Sequence, residues 1–186
     1  LMQSDVSGHI DDMLPHGQRE LLKRGITSIH DIDGADCLYA YQKIRERGEL
    51  DIRIHKVLRQ EQILDFISRG IRTGSGDEWI SIGPLKLFTD GALGSHTAHM
   101  SEPWPGTHDH GVAVISREEL DHWTHKAAAA GIASAVHAVG DQAVTDVLDS
   151  FEANRTIAQV FGLRQRVEHA QYMKRDDILG FQRLGV

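Results

Sequence analysis

Ile132-Ala133-Ser134-Ala135-Val136-His137-Ala138-Val139-Gly140-Asp141 is the stretch on which the fold turns. It is a short run of small and β-branched apolar residues that follows Gly131 and is broken by Gly140-Asp141, which reads as a buried strand. Just upstream, Ser116-Arg117-Glu118-Glu119 carries the serine and glutamate of a capping box. A helix therefore starts there, runs through the alanines Ala127 to Ala130 and stops at Gly131. Downstream, Val144, Val147, Leu148 and Phe151 form the apolar stripe of a second helix, with Asp141 placed to cap its start. Gln165-Arg166-Val167-Glu168-His169-Ala170-Gln171 repeats the strand pattern, and a last helix carries Asp176 and Asp177 near its beginning.

The alternation extends toward the N-terminus. Gly25-Ile26-Thr27-Ser28-Ile29-His30-Asp31 reads as a strand behind a helix-like Glu20-Leu21-Leu22-Lys23. A helix follows with Leu38, Tyr41 and Ile44 on one face. Then come a strand at Asp51 to Leu58, a helix from about Gln60 with Ile63, Leu64 and Ile67 at helical spacing, and a strand from Ile80 to Lys86. Strict strand–helix alternation implies parallel strands joined by crossover helices, an α/β architecture. Ser28 to Ile54 is 26 residues, Ile54 to Lys86 is 32, and His137 to His169 is 32. A (β/α)₈ TIM-barrel of about 250 residues uses about 31 per unit. The 51 residues from Lys86 to His137 exceed this, and the surplus falls in Gly91 to Thr107, an expected extended loop at the carboxyl end of its strand. Five strands are expected against the eight of a closed barrel, so residues 1–186 are read as one partial barrel domain. Either the chain is an excerpt of a longer one, or its two open edges are covered in a homo-oligomer.

Composition narrows the class. With 40% apolar and 25% charged residues, the chain is an ordinary globular one. A net charge of −7 with scattered basic residues argues against a nucleic-acid partner. No run approaches the length of a membrane span, and the N-terminal residues lack the shape of a signal peptide. A single cysteine, Cys37, excludes an intrachain disulfide and reads as structural. A cytoplasmic enzyme is expected.

Lys86, His137 and His169 each stand near the carboxyl end of a strand, the end at which such barrels carry their active sites. Two histidines with a carboxylate-like third group make a zinc-type set with an open position. An ammonium has no lone pair, so Lys86 is a salt-bridge partner, a Schiff-base amine, or a carbamate acting as a carboxylate.

Lys86-Leu87-Phe88-Thr89-Asp90-Gly91-Ala92-Leu93-Gly94-Ser95, His137-Ala138-Val139-Gly140-Asp141 and Val167-Glu168-His169-Ala170-Gln171 resemble three successive signatures of the amidohydrolase superfamily. They are most similar to its amidohydrolase 3 branch, which includes N-substituted formamide deformylases, and Gly25 to Ser28 fits that branch's second barrel strand. The resemblance implies strands two to six of a distorted barrel, with the N-terminal β-sandwich, first strand and last strands outside this sequence. It implies a divalent metal, zinc by expectation, held by Lys86 as a carboxylated lysine and by His137 and His169. The implied activity is hydrolysis of non-peptide carbon–nitrogen bonds in a small amide or formamide by metal-activated water.

The resemblance leaves a general base unassigned among these residues, since the family's first-strand HxH and strand-eight aspartate have no counterpart here. His108-Asp109-His110 spells HxH but lies in a loop, so it is read as a decoy, and His96 stands where relatives often carry arginine. Asp90 and Gly91 are expected to shape a turn, Glu168 to point away from His169, and His30 and Asp31 to line the pocket. Trp104 reads equally as a lid residue or as loop packing. Two other readings are a Schiff-base lyase using Lys86 and a catalytically incomplete barrel fragment that acts by association.

Overall fold

The computed structural model describes residues 6–186, which divide into two compact units that meet in the chain between Gly83 and Pro84. In the first, α1 (Val6–Leu22) leads to β1 (Ser28–Asp31), α2 (Ala35–Glu46), β2 (Arg53–Leu58), α3 (Ile63–Ser68) and the first half of β3 (Ile80–Phe88). β1 and β2 are parallel, with Ile29 opposite Ile54 and His30 opposite His55. Their apolar side chains meet α2 in a core of Tyr41, Ile44, Leu50, Ile52, Ile54 and Ile80, with Leu38 packed against it as the helical spacing predicts.

α3 departs from its expected face. It begins at Ile63 and buries Ile63 and Phe66, whereas Leu64 is 51% exposed. In a helix of only six residues, the i, i+3 pair alone can face the sheet. Asp31 also departs from expectation. Its carboxylate is buried and accepts a 2.7 Å bond from Lys56, its register partner, an ion pair that the sequence does not signal. Lys56 is fully buried and donates a second bond to the Asp33 carbonyl. On the opposite face of the two strands, the rings of His30 and His55 lie 4.7 Å apart. Cys37 is half-buried, and that burial raises its thiol pKa, which suits a structural residue.

The second unit takes β3 onward through α4 (Arg117–Ala129), β4 (Ser134–Ala138), α5 (Asp141–Ala153), α6 (Arg155–Val160), β5 (Arg166–His169) and α7 (Arg175–Leu184). Ser116 caps α4 by accepting from the Glu119 N–H at 3.1 Å, and Gly131 leaves the helix with φ of 75°, as the sequence signals require. Val144, Val147, Leu148 and Phe151 are all buried. α6 was not legible in the sequence. Asn154 separates it from α5, bonding the Ser150 carbonyl at 3.0 Å and His125 Nδ1 at 2.8 Å. Hydrogen-bonded strand order follows chain order from β1 to β5, and β1–β2, β3–β4 and β4–β5 pair in parallel. A doubly wound sheet would reverse its order at a switch point, so the in-order arrangement is that of a (β/α) barrel in part. No described helix is long and apolar enough to cross a membrane.

Breaking the buried pair should be costly because the surviving Asp31 carboxylate loses its opposite charge and keeps only the Asp33 N–H at 3.2 Å. Lys56→Met is expected to lower unfolding stability by about 3–5 kcal/mol, with much of the loss recovered in Lys56→Met/Asp31→Asn. Urea denaturation checks both values, and a single variant as stable as wild type would contradict this account.

Candidate functional site

Register and alternation fix one face of the second unit. Lys86 lies opposite Ala135, which lies opposite Arg166; one step further along, Phe88, His137 and Glu168 form a second row. The intervening residues Leu85, Leu87, Val136 and Ala138 are buried on the other face. Pairing would send His169 to that other face too, since it stands opposite Ala138. Instead its φ of 75°, followed by 44° at Ala170, turns the chain so that its ring meets the His137 ring edge-on, 4.6 Å between centroids. Two consecutive non-glycine residues in the left-handed region cost about 1–3 kcal/mol each and persist only where their surroundings hold them. Here the Ala170 N–H donates to the Ala138 carbonyl at 3.0 Å and the Tyr172 N–H to the Val139 carbonyl at 2.9 Å. Glu168 and His169 therefore both neighbour His137, against the expectation from simple alternation. Glu168 is ion-paired with Arg166.

Lys86 is 7% exposed, so it does not snorkel to solvent. Its Nζ lies 4.2 Å from the centroid of the Phe88 ring and donates a long 3.3 Å bond to the Leu87 carbonyl. Burial pushes its pKa down to about 8, opposed by the Glu168 charge and helped by that of Arg166. Phe88 is half-exposed and its ring lies 5.5 Å from that of His137.

The three residues after β3 grip the end of β4. The Thr89 N–H and hydroxyl both donate to the His137 carbonyl, at 3.0 and 2.6 Å. The Asp90 carboxylate, with no side-chain exposure, accepts from the N–H groups of Val139 at 3.0 Å, Gly140 at 2.7 Å and His99 at 3.0 Å. The Gly91 carbonyl accepts from His137 Nε2 at 2.8 Å. Asp90 and Gly91 thus shape the turn as expected, but the burial of Asp90 beside His137 went unread in the sequence. Only glycine fits at 91 and 140, where an added Cβ would lie 2.0 Å from Thr97 Oγ1 and from the His99 carbonyl oxygen respectively.

Residues 89–116 contain no helix or strand, as expected of the long loop. Within it His96, at a φ of 55°, stacks on Trp104 with centroids 4.6 Å apart. Asp141 is not the cap of α5. Gly140 holds that position, and the Asp141 carboxylate instead accepts from the Ser101 N–H at 2.8 Å and from its hydroxyl. Burial raises the Asp141 pKa, but the Ser101 bonds outweigh it and the net shift is downward. His108, Asp109 and His110 are all exposed; Asp109 accepts from the Gly111 N–H at 2.9 Å and His110 Nδ1 lies 3.0 Å from the Met100 carbonyl oxygen. Nothing brings this HxH to the strand ends.

Among the described residues no three His, Cys, Asp or Glu side chains cluster as a metal-holding group. Lys86, His137 and His169 still make a chemically sensible partial set: two adjacent imidazoles, and a buried amine able to become an anionic oxygen donor. Residues 9–186 match the amidohydrolase family (Amidohydro_3). The chain belongs to that family.

This amidohydrolase chain is 30% identical over 178 residues to the putative amidohydrolase YtcJ of Bacillus subtilis, covering 90% of this chain and 32% of that protein. It is 36% identical over 97 residues to the protein LONG AFTER FAR-RED 3 of Arabidopsis thaliana, covering 52% of this chain and 17% of that one. Among solved structures it is similar to an uncharacterized metal-dependent hydrolase of Pyrococcus horikoshii, with a TM-score of 0.81, 31% identity, and coverage of 97% of this chain and 36% of the other. A second, from Pyrococcus furiosus, gives a TM-score of 0.80 at 28% identity, covering 95% and 36%. The chain therefore spans about a third or less of the length of these relatives. Membership places it among enzymes, and its similarity to metal-dependent hydrolases covers both units.

The Ser101–Asp141 link should give the amidohydrolase a pH-dependent part of its stability. A carboxyl whose folded pKa is lowered stabilises the fold above its unfolded value of about 3.9, and this contribution is lost as pH falls through the lower folded value. Asp141→Asn is expected to be less stable than wild type near neutral pH, with the gap closing as pH falls below the carboxyl's unfolded value and through its lower folded one. Thermal midpoints across that range check it; a gap that stays constant would refute the assignment.

Proposed function

We propose that this chain carries part of the active site of a metal-dependent hydrolase acting on non-peptide carbon–nitrogen bonds in small amides or formamides. The observation that carries the reading is the contact of the His137 and His169 rings at the carboxyl ends of two adjacent parallel strands, with Lys86 near the end of the next strand on the same face as His137, in an amidohydrolase chain. His137 and His169 would present imidazole nitrogens to the metal. Lys86 would complete the set as a carbamate, formed when its neutral amine adds carbon dioxide and releases a proton. Burial favours that chemistry, because it enlarges the neutral share of the amine near neutral pH. A zinc-type ion, when bound, supplies Lewis acidity and an activated water nucleophile. Phe88 covers one side of Lys86, and the Arg166–Glu168 pair borders the same face.

The lowered Lys86 pKa also suits a Schiff-base amine, the second reading. That reading gives the two histidines no task. Elemental mass spectrometry on chain purified without chelator or affinity histidines separates the two. The expected result is about one zinc-type ion per chain, as for a single site with an open position, lost in His137→Ala/His169→Ala. Absence of metal from the wild type, together with borohydride trapping of a carbonyl compound on Lys86, would favour the lyase.

A further inference from the structure

We propose that Asp90 is a positioning residue: its buried carboxylate fixes both the orientation of His137 and the nitrogen on which that imidazole carries its proton. A carboxylate taken out of water is tolerated only where donors replace the lost hydration. At Asp90 the donors are the backbone N–H groups of His99, Val139 and Gly140. No Lys or Arg side chain pairs with it among the described residues; its one ionic neighbour is His137, with Nε2 3.4 Å from Oδ1. The negative charge is therefore held rigidly beside one edge of a single imidazole.

Two consequences follow for His137. The Gly91 carbonyl at 2.8 Å can only accept, so Nε2 must carry the hydrogen, and the Asp90 charge stabilises a proton at that same atom. The other nitrogen, Nδ1, is left with its lone pair. Asp90 also holds the two peptide groups just past the strand, while Thr89 holds the His137 carbonyl, so the ring's backbone cannot swing without breaking several bonds together. The arrangement is that of an outer-sphere partner which orients a ligand histidine, and its functional weight rests on the reading that His137 helps to hold a metal.

Long-range proton–nitrogen NMR of the ¹⁵N-histidine-labelled, metal-free chain tests this, with His137 assigned by comparison with His137→Gln. The expected wild-type spectrum shows His137 protonated at Nε2 alone. In Asp90→Asn the turn that carries the Gly91 carbonyl loses its anchor together with the charge, so the two tautomers should mix and zinc affinity should fall about 10- to 100-fold, with an unchanged circular dichroism spectrum. A His137 protonated at Nδ1 in the wild type, or a variant with wild-type tautomer and affinity, would overturn the proposal. Should Asp90→Asn not fold, the wild-type tautomer decides. A chain that binds no zinc but shows the Asp90-dependent tautomer would uphold the positioning role and sink the metal reading, so the two ideas fail separately.

Discussion

The parallel register between β3 and β4 sets Phe88 opposite His137 and Lys86 opposite Ala135, and the chemistry of this chain is arranged around that pairing. A slip by one residue would exchange the two faces, carrying Lys86 among the helix-facing apolar residues and bringing Leu87 into its place. Thr89 and Asp90 secure the register from the far end, because their bonds to the His137 carbonyl and to the Val139 and Gly140 amides can form in only one alignment. Apolar packing supplies the bulk of the stability, and these few polar contacts decide where the strands stop relative to one another.

His169 gains its place in a different manner. It leaves the extended conformation at the last residue of β5, and the bonds of Ala170 and Tyr172 to β4 and its following turn hold the strained backbone in position. Strain of this kind, where ordinary pairing would have directed the ring elsewhere, is common at sites selected for chemistry rather than for stability.

Much of the architecture could be read from the sequence because it rests on local signals. The Ser116 cap, the Gly131 stop and the Val144–Phe151 stripe each report a single helix without reference to anything distant, and strand spacing reports the barrel unit. The three strand-end residues were legible for the same reason. The partnerships of Asp31, Asp90 and Asp141 were not. Each carboxylate is engaged by a group that lies 25 to 50 positions away along the chain, and a carboxylate beside a glycine reads the same whether it caps a helix or anchors a loop. The handedness at His169 was equally hidden, since histidine signals positive φ far more weakly than glycine does.

The long segment after β3 is tied down at His99 by Asp90 and at Ser101 by Asp141, with Ala98 fully buried between them and the loop's start. Beyond Ser101 the backbone runs out to the exposed residues His108 to His110 before Gly111 returns against Ala98. The outer arc between residues 102 and 110 is therefore the part of the loop whose length can change with least effect on the two anchors. In a lineage that diversifies its substrates, that arc can vary in sequence and size while the strand ends beneath it stay as they are.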